Sequence, residues 1–172
     1  TVAFTIKGLG DFTATIGTVA PGETAFVDGP YGSFGIDRQP EAAGQVFIAG
    51  GVGIAPVMSM LRTLADRGDR RPRWLFYGNR LRERSAFAAE IAALAPAIGL
   101  TVVPVLLEPP PGWQGETGFV DRAVLARHLP ADVGGLHCYV CGPVAMIRLA
   151  EQALVDLGVP LGRIHSELFD LA

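Results

Sequence analysis

The run Val46-Phe47-Ile48-Ala49 is apolar at four consecutive positions and is closed by Gly50-Gly51-Val52-Gly53-Ile54-Ala55-Pro56. A strand that alternates can leave one face in water, whereas a strand apolar throughout must be covered on both faces. Beyond the glycines, Val57, Leu61 and Leu64 recur at helical spacing over residues 56–67. A doubly buried strand, a glycine turn and an amphipathic helix point to a parallel sheet flanked by helices. The alternation then repeats. Trp74-Leu75-Phe76-Tyr77 reads as a second strand, and Phe87, Ile91 and Leu94 suit a helix. Residues 100–107 read as a third strand, in which Pro104 favours a bulge or a sheet edge. A polar, Pro/Gly-rich loop (108–118), a short helix (120–128) and a fourth strand ending at Cys141 follow. A helix over 143–157, stopped by Gly158, leads to a last strand over 163–169. The prediction is an α/β domain over 39–172 built on a doubly wound, five-stranded parallel sheet.

Residues 1–38 read differently. Val2, Phe4 and Ile6 alternate as in a half-buried strand, 11–19 suits a short helix, and 24–27 a short strand. The sequence opens on Thr1, without Met and inside a strand-like pattern, so something is expected to precede it, a membrane domain included. The 172 residues suffice for one α/β domain with a little left over. A net charge of -3 with no basic block argues against a nucleic-acid partner. No run of about 20 apolar residues is present to span a bilayer. Cys138 and Cys141 form a C-x-x-C, but on a strand residues three apart face opposite ways, so the thiols should not meet. His128, His137 and His165 lack metal-ligand spacing, and no metal is expected.

The glycine loop carries the first chemical inference. Glycines let backbone come close to a ligand, and a helix N-terminus offers free N–H groups and partial positive charge to a pyrophosphate. Gly50, Gly51, Val52, Gly53, Ile54 and Pro56 are therefore candidate dinucleotide contacts. Pro56 suits the first helical turn, where its missing N–H costs nothing. The pattern is G-x-G-x-x-P, not the usual G-x-G-x-x-G.

Four motifs in this order resemble the ferredoxin–NADP reductase superfamily: Gly50-Gly51-Val52-Gly53-Ile54-Ala55-Pro56, Tyr77-Gly78-Asn79-Arg80, Cys141-Gly142-Pro143 with Met146, and Glu167-Leu168-Phe169. The resemblance covers nearly all of 24–172. Thr5-Ile6-Lys7-Gly8-Leu9-Gly10-Asp11-Phe12-Thr13 resembles a segment of bacterial ferric reductases and NADPH oxidases. The resemblance implies a dinucleotide-binding domain (39–172) preceded by the C-terminal part of a flavin-binding β-barrel (1–38). It implies hydride transfer from NAD(P)H to FAD, followed by one-electron delivery. Cys141 would orient the nicotinamide, Glu167 would polarise the hydride-transfer region, and Phe169 would cover the flavin. Gly142, Pro143 and Met146 would complete that segment. Pro30 and Tyr31 would face the nicotinamide pocket, and Gly10, Asp11 and Thr13 would approach the FAD pyrophosphate. Asn79, Arg80 and Arg84 follow the second strand, where a 2′-phosphate would be read, and the arginines favour NADP over NAD.

The motif that would hold the isoalloxazine is not in the sequence, so the chain is expected to be inactive alone. The main expectation is the module of a ferric-reductase-like or oxidase-like protein with a haem-bearing membrane domain, working at the cytoplasmic face. One alternative is a soluble reductase component, cytoplasmic, feeding an iron–sulfur protein or an oxygenase. Another is a non-enzymatic nucleotide sensor, against which Cys141 and Glu167 argue.

Overall fold

Each continuous apolar run becomes a strand of one parallel sheet. The computed structural model describes residues 2–29 and 31–168. The strands are β1 (Gly44–Gly50), β2 (Arg73–Asn79), β3 (Leu100–Leu106), β4 (Glu116–Thr117), β5 (Leu136–Gly142) and β6 (Ile164–Leu168). Their order is β4-β3-β2-β1-β5-β6, and every neighbouring pair is parallel. All seven residues of β1 and of β5 are buried, which is why these two runs carry no polar alternation.

Helices α2 (Ile54–Asp66) and α3 (Ala88–Leu94) cover one face, with Ile54, Val57, Met58, Leu61, Leu64 and Ile91 packed on Phe47, Leu75 and Tyr139. Helices α4 (Arg122–His128) and α5 (Val144–Asp156) cover the other, with Val124, Leu125, Ile147, Ala150 and Leu154 on Val46, Ile48, Phe76 and Val140. The fold is thus the doubly wound α/β class read from the sequence. Its sheet has six strands instead of five. The additional β4 has only two residues, inside the loop read as irregular, and pairs with Val105 and Leu106. Pro104 lies just before that short pairing, at a point where β3 has no neighbour on its outer side. Asp121 caps α4, its Oδ1 accepting from the Val124 amide at 2.8 Å.

The chain divides into two compact units, Thr1–Ser33 and Phe34–Ala172. The described residues of the first unit contain one helical turn and no strand. Helix α1 (Asp11–Thr15) runs into a 3-10 turn at Ile16–Thr18, close to the expected short helix. The strands expected over 1–6 and 24–27 are corrected: their described residues pair with no other segment. A strand needs a neighbour to take its N–H and C=O groups, and alternation alone supplies none.

Candidate functional site

Paired β1 and β5 end level with each other, Ala49 opposite Cys141, so the loops that follow them meet. To one side of β1 the chain winds through α2 to β2, and to the other lies β5, reached only later. The strand order therefore reverses between β1 and β5, and open α/β sheets bind ligands beyond the carboxyl ends at such a point.

The glycines there do different work. A Cβ on Gly50 would lie 2.6 Å from Met146 Sδ and 2.9 Å from Pro143 Cδ. One on Gly53 would run into the Cys141 carbonyl, and one on Gly142, whose φ is +157°, would sit 2.6 Å from Met146 Cε. These three are glycines because the β1 and β5 loops press together. Gly51 is different: it is exposed, its φ is +53°, and nothing lies within 4 Å of where its Cβ would be. The open space that a pyrophosphate needs lies at Gly51, beside the start of α2, and Val52 is half-buried next to it. Ile54 is fully buried and Pro56 lies in the first turn of α2, so both fix the helix rather than face outward. The residues thus fit a dinucleotide pyrophosphate.

Cys141 is fully buried at the end of β5, level with Glu167 on β6, which is half-buried. Burial and the nearby Glu167 charge push the Cys141 thiol up to about 12, so it stays protonated at neutral pH. A neutral thiol can orient a ring and is no nucleophile. Cys138 is buried in the opposite core, and both cysteines are free, as their spacing on a strand requires. Phe169 and Pro30 lie outside the described residues.

The loops after β2 and β3 are joined by side chains. Asn79 is buried, its Nδ2 donating to Ser85 Oγ at 3.3 Å. Arg80 Nε donates to Glu108 Oε1 at 2.8 Å, and the Glu108 amide donates back to the Arg80 carbonyl at 2.9 Å. Arg82 lies 5.9 Å from the Trp113 ring centroid. Arg84 is exposed and has no ion-pair partner among the described residues. The arginine loop is therefore partly engaged: Arg80 already holds a carboxylate. Sequence reading singled out neither Glu108 nor Trp113. A lone tryptophan in a Pro/Gly-rich loop was the available signal for the second.

In the first unit, Thr13 Oγ1 accepts from the amides of Leu9 and Gly10 at 2.9 and 3.0 Å, which ties down the start of α1. Asp11 stands in its first turn. Tyr31 donates to Asp28 Oδ1 at 2.6 Å, a bond that raises the phenol's pKa above its usual value. Among the described residues no helix is long and apolar enough to cross a membrane, and no group of three or more His, Cys, Asp or Glu could hold a metal.

Residues 47–152 match the model of the oxidoreductase NAD-binding domain. The reductase component of phenol 2-monooxygenase from Pseudomonas sp. (strain CF600) is 38% identical over 140 residues, 78% of this chain and 38% of that one. Ferredoxin–NADP reductase B of Sorangium cellulosum (strain So ce56) is 34% identical over 157 residues, 87% of this chain and 64% of that one. The cytochrome b5 reductase domain of Ulva prolifera nitrate reductase superposes with a TM-score of 0.82 at 25% identity, over 92% of this chain and 64% of that one. The chain spans 38%, 43% and 42% of three curated relatives that it matches, all of them components of phenol- or propane-oxidising systems by name. A parallel sheet whose β1 and β5 loops interlock around Gly50, Gly53 and Gly142 agrees with that match, and the chain belongs to the oxidoreductase NAD-binding domain family, within the ferredoxin–NADP reductase superfamily.

Proposed function

We propose that this chain is the NAD(P)H-binding module of a flavin-dependent reductase that delivers electrons singly to an oxygenase or an iron–sulfur protein. One observation carries the reading: the β1 and β5 loops interlock so that open Gly51 and buried Cys141 lie at neighbouring strand ends. A pyrophosphate over Gly51 places one end of the dinucleotide toward β5 and the other toward β2. NAD(P)H held there would supply a hydride, which FAD in the intact protein would accept and pass on as single electrons. The chain's own residues bind and orient. Gly51 and Val52 offer the pyrophosphate their backbone amides, and the start of α2 offers its partial positive charge. The neutral Cys141 thiol sets the ring, and Gly142, Pro143 and Met146 fix the backbone around it. Glu167, level with Cys141, offers a carboxylate to the same end of the sheet. Phe169 keeps its proposed place over the flavin.

The relatives favour this reading over the membrane ferric-reductase branch. They are named as reductase components of monooxygenases, a ferredoxin–NADP reductase and a cytochrome b5 reductase. The ferric-reductase reading, with its membrane haem domain, rests on the segment from Thr5 to Thr13 alone. For the flavin we keep Gly10, Asp11 and Thr13 as the residues that approach the FAD pyrophosphate, with Pro30 and Tyr31 kept as candidate nicotinamide contacts and residues 1–38 as the end of the barrel, and we place the protein in the cytoplasm.

The test is calorimetric titration of the chain with NADP⁺ and NAD⁺. Binding of at least one is required. An Arg80 guanidinium that reads the 2′-phosphate must leave Glu108, so Arg80→Ala should weaken NADP⁺ and spare NAD⁺. Equal weakening of both would show Arg80 to be a loop brace only.

A further inference from the structure

We propose that Glu116 is a positioning residue for the adenosine half of the dinucleotide, acting through Trp113 and Arg82 on the loops that follow β3 and β2. The inference rests on the dinucleotide reading above. With the pyrophosphate over Gly51 and the nicotinamide toward Cys141 on β5, the adenosine must extend the other way, over β2 and β3. Beyond Glu108 the chain leaving β3 has few backbone hydrogen bonds to anchor it. Pro109-Pro110-Pro111-Gly112 supplies almost no backbone N–H groups, and residues 107–115 belong to no helix or strand.

Glu116 ties that loop down from both its backbone and its side chain. Its backbone opens β4 opposite Val105. Its carbonyl accepts the Trp113 indole N–H at 3.0 Å. Its carboxylate takes Arg127 through Nε at 3.0 Å and Nη2 at 2.5 Å, and His128 Nε2 lies 2.7 Å from Oε1. The side chain is 18% exposed, so these bonds are partly shielded from water. Arg127 and His128 stand in the last turn of α4, whose Val124 and Leu125 are buried in the core. The loop is thus moored to the rigid layer beneath the sheet. Hydrogen bonding, from Arg127 first and from His128, holds the Glu116 carboxyl at about 2, so it meets Arg127 as a carboxylate at neutral pH.

Trp113 carries the restraint outward. Its indole folds back over Gly115, where a Cβ would lie 2.7 Å from Cε2, so only glycine permits the fold. The guanidinium of Arg82, on the exposed 3-10 turn after β2, sits 5.9 Å from the ring centroid. A line of contacts therefore runs from α4 through Glu116 and Trp113 to Arg82, and Arg80–Glu108 makes a second tie between the same loops. A wall fixed in advance loses less entropy when the adenosine settles on it.

The chain is titrated with ADP-ribose, with inorganic pyrophosphate and with the preferred dinucleotide, and the thermal unfolding of each variant is recorded. Glu116→Ala should raise the Kd for ADP-ribose and for the dinucleotide about tenfold, the scale of one well-placed aromatic contact, and leave pyrophosphate unchanged. Glu116→Gln, which keeps an acceptor for Arg127, should fall between. Trp113→Phe keeps the ring but loses the indole N–H, so it should weaken ADP-ribose in the same selective way, and it supplies the comparison if Glu116→Ala does not fold. A lower Tm with every Kd unchanged, or equal weakening of pyrophosphate and ADP-ribose, overturns the proposal. Failure of the unaltered chain to bind any of the three overturns the dinucleotide reading, and this proposal with it.

Discussion

The two ends of the sheet are closed by opposite means. At the amino ends, polar side chains close it. Arg73, fully buried at the start of β2, pairs with Asp69 and donates through Nη1 to the carbonyls of Asp69 at 2.9 Å and Ile98 at 2.5 Å. Arg71 holds the same Asp69 through Nε at 3.0 Å and reaches the carbonyls of Pro40 and Ala42 at 2.8 and 2.7 Å. At the carboxyl ends of β1 and β5, missing side chains close it: Gly50, Gly53 and Gly142 let two loops touch. Side-chain closure turns its donors inward, to partners within the protein. Glycine closure leaves backbone N–H groups and an open Gly51 for a ligand. The first end should therefore answer to stability measurements and the second to nucleotide measurements, which is where the contrast can be broken.

The largest effect belongs to the amino end. Arg73→Ala strands part of a buried ion pair and two carbonyls, and should cost about 3–5 kcal/mol of unfolding free energy in urea titrations. NAD(P)⁺ affinity, measured well below the new midpoint, should not move. A large loss of affinity in a variant that is still folded would show that the two ends are coupled.

Gly53→Ala comes next, and it should fail on both scales. A Cβ there meets the Cys141 carbonyl, which is backbone and cannot swing aside, so the β1 and β5 loops must part. Overpacking of this kind costs about 1–3 kcal/mol, and the parted loops should lose dinucleotide affinity as well. Gly51→Ala isolates the other role. It meets no neighbour, and its φ of +53° costs a non-glycine residue about 1–2 kcal/mol. Matching losses in the two variants would mean that packing between the loops is not what Gly53 provides.

Much of this was legible in the sequence, for a reason that also marks the limit. Strands β1, β2 and β5 announce themselves as runs without polar alternation because burial on both faces is a local demand on composition. Motif order likewise exposed the β1 and β5 loops, since each needs glycine at fixed positions. What stayed hidden depends on partners far along the chain. Glu108 lies 28 residues from Arg80, and nothing near Arg80 foretells the pair. Strand β4 exists only because Glu116 and Thr117 meet β3, and the alternation of Val2, Phe4 and Ile6 finds no partner among the described residues. The packing duty of the loop glycines was hidden for the same reason. Gly50 and Gly53 answer to Met146, Pro143 and Cys141, which lie about ninety residues on.

Cys141 and Cys138 sharpen the contrast within a single strand. In the intact protein, if it is the flavin-dependent reductase proposed above, Cys141→Ala should slow flavin reduction by NAD(P)H at saturation about tenfold or more, because a near-attack distance tolerates little drift. Dinucleotide affinity should hold, since the pyrophosphate contacts lie elsewhere. Cys138→Ala should lower Tm and leave the reduction rate alone. With the Cys141 thiol pushed up to about 12, the rate should show no titration of that group between pH 6 and 9. Stopped-flow traces read all of this, and a wild-type rate in Cys141→Ala would return that residue to the core.

The smallest effect expected is again at the amino end, in a pair that carries charge only in acid. His137 Nδ1 lies 3.0 Å from His165 Nε2, across β5 and β6, with the rings within 5° of parallel. The centroids, at 5.3 Å, are farther apart than the nitrogens by roughly two ring radii, so the imidazoles meet edge to edge and share one proton between them. Burial lowers the pKa of both, and for His137 the charges of His165 and Arg163 lower it further. The groups facing the pair from the packed elements are Tyr139, which stacks on His165 at 5.0 Å, and the Arg163 guanidinium. None is an acid that would favour a second proton. The folded chain thus takes up protons less readily than the unfolded chain. The stability that the neutral pair contributes is complete above the ordinary histidine value of about 6.5 and is lost as pH falls through it. Between pH 7.5 and 5.5 the wild-type chain should lose about 2 °C more in Tm than His137→Gln/His165→Gln. Equal losses would mean that the two rings take their protons as freely when folded as when unfolded. A greater loss of dinucleotide affinity than of Tm over the same range would place the pair's influence at the other end of the sheet, at Glu167 and Cys141.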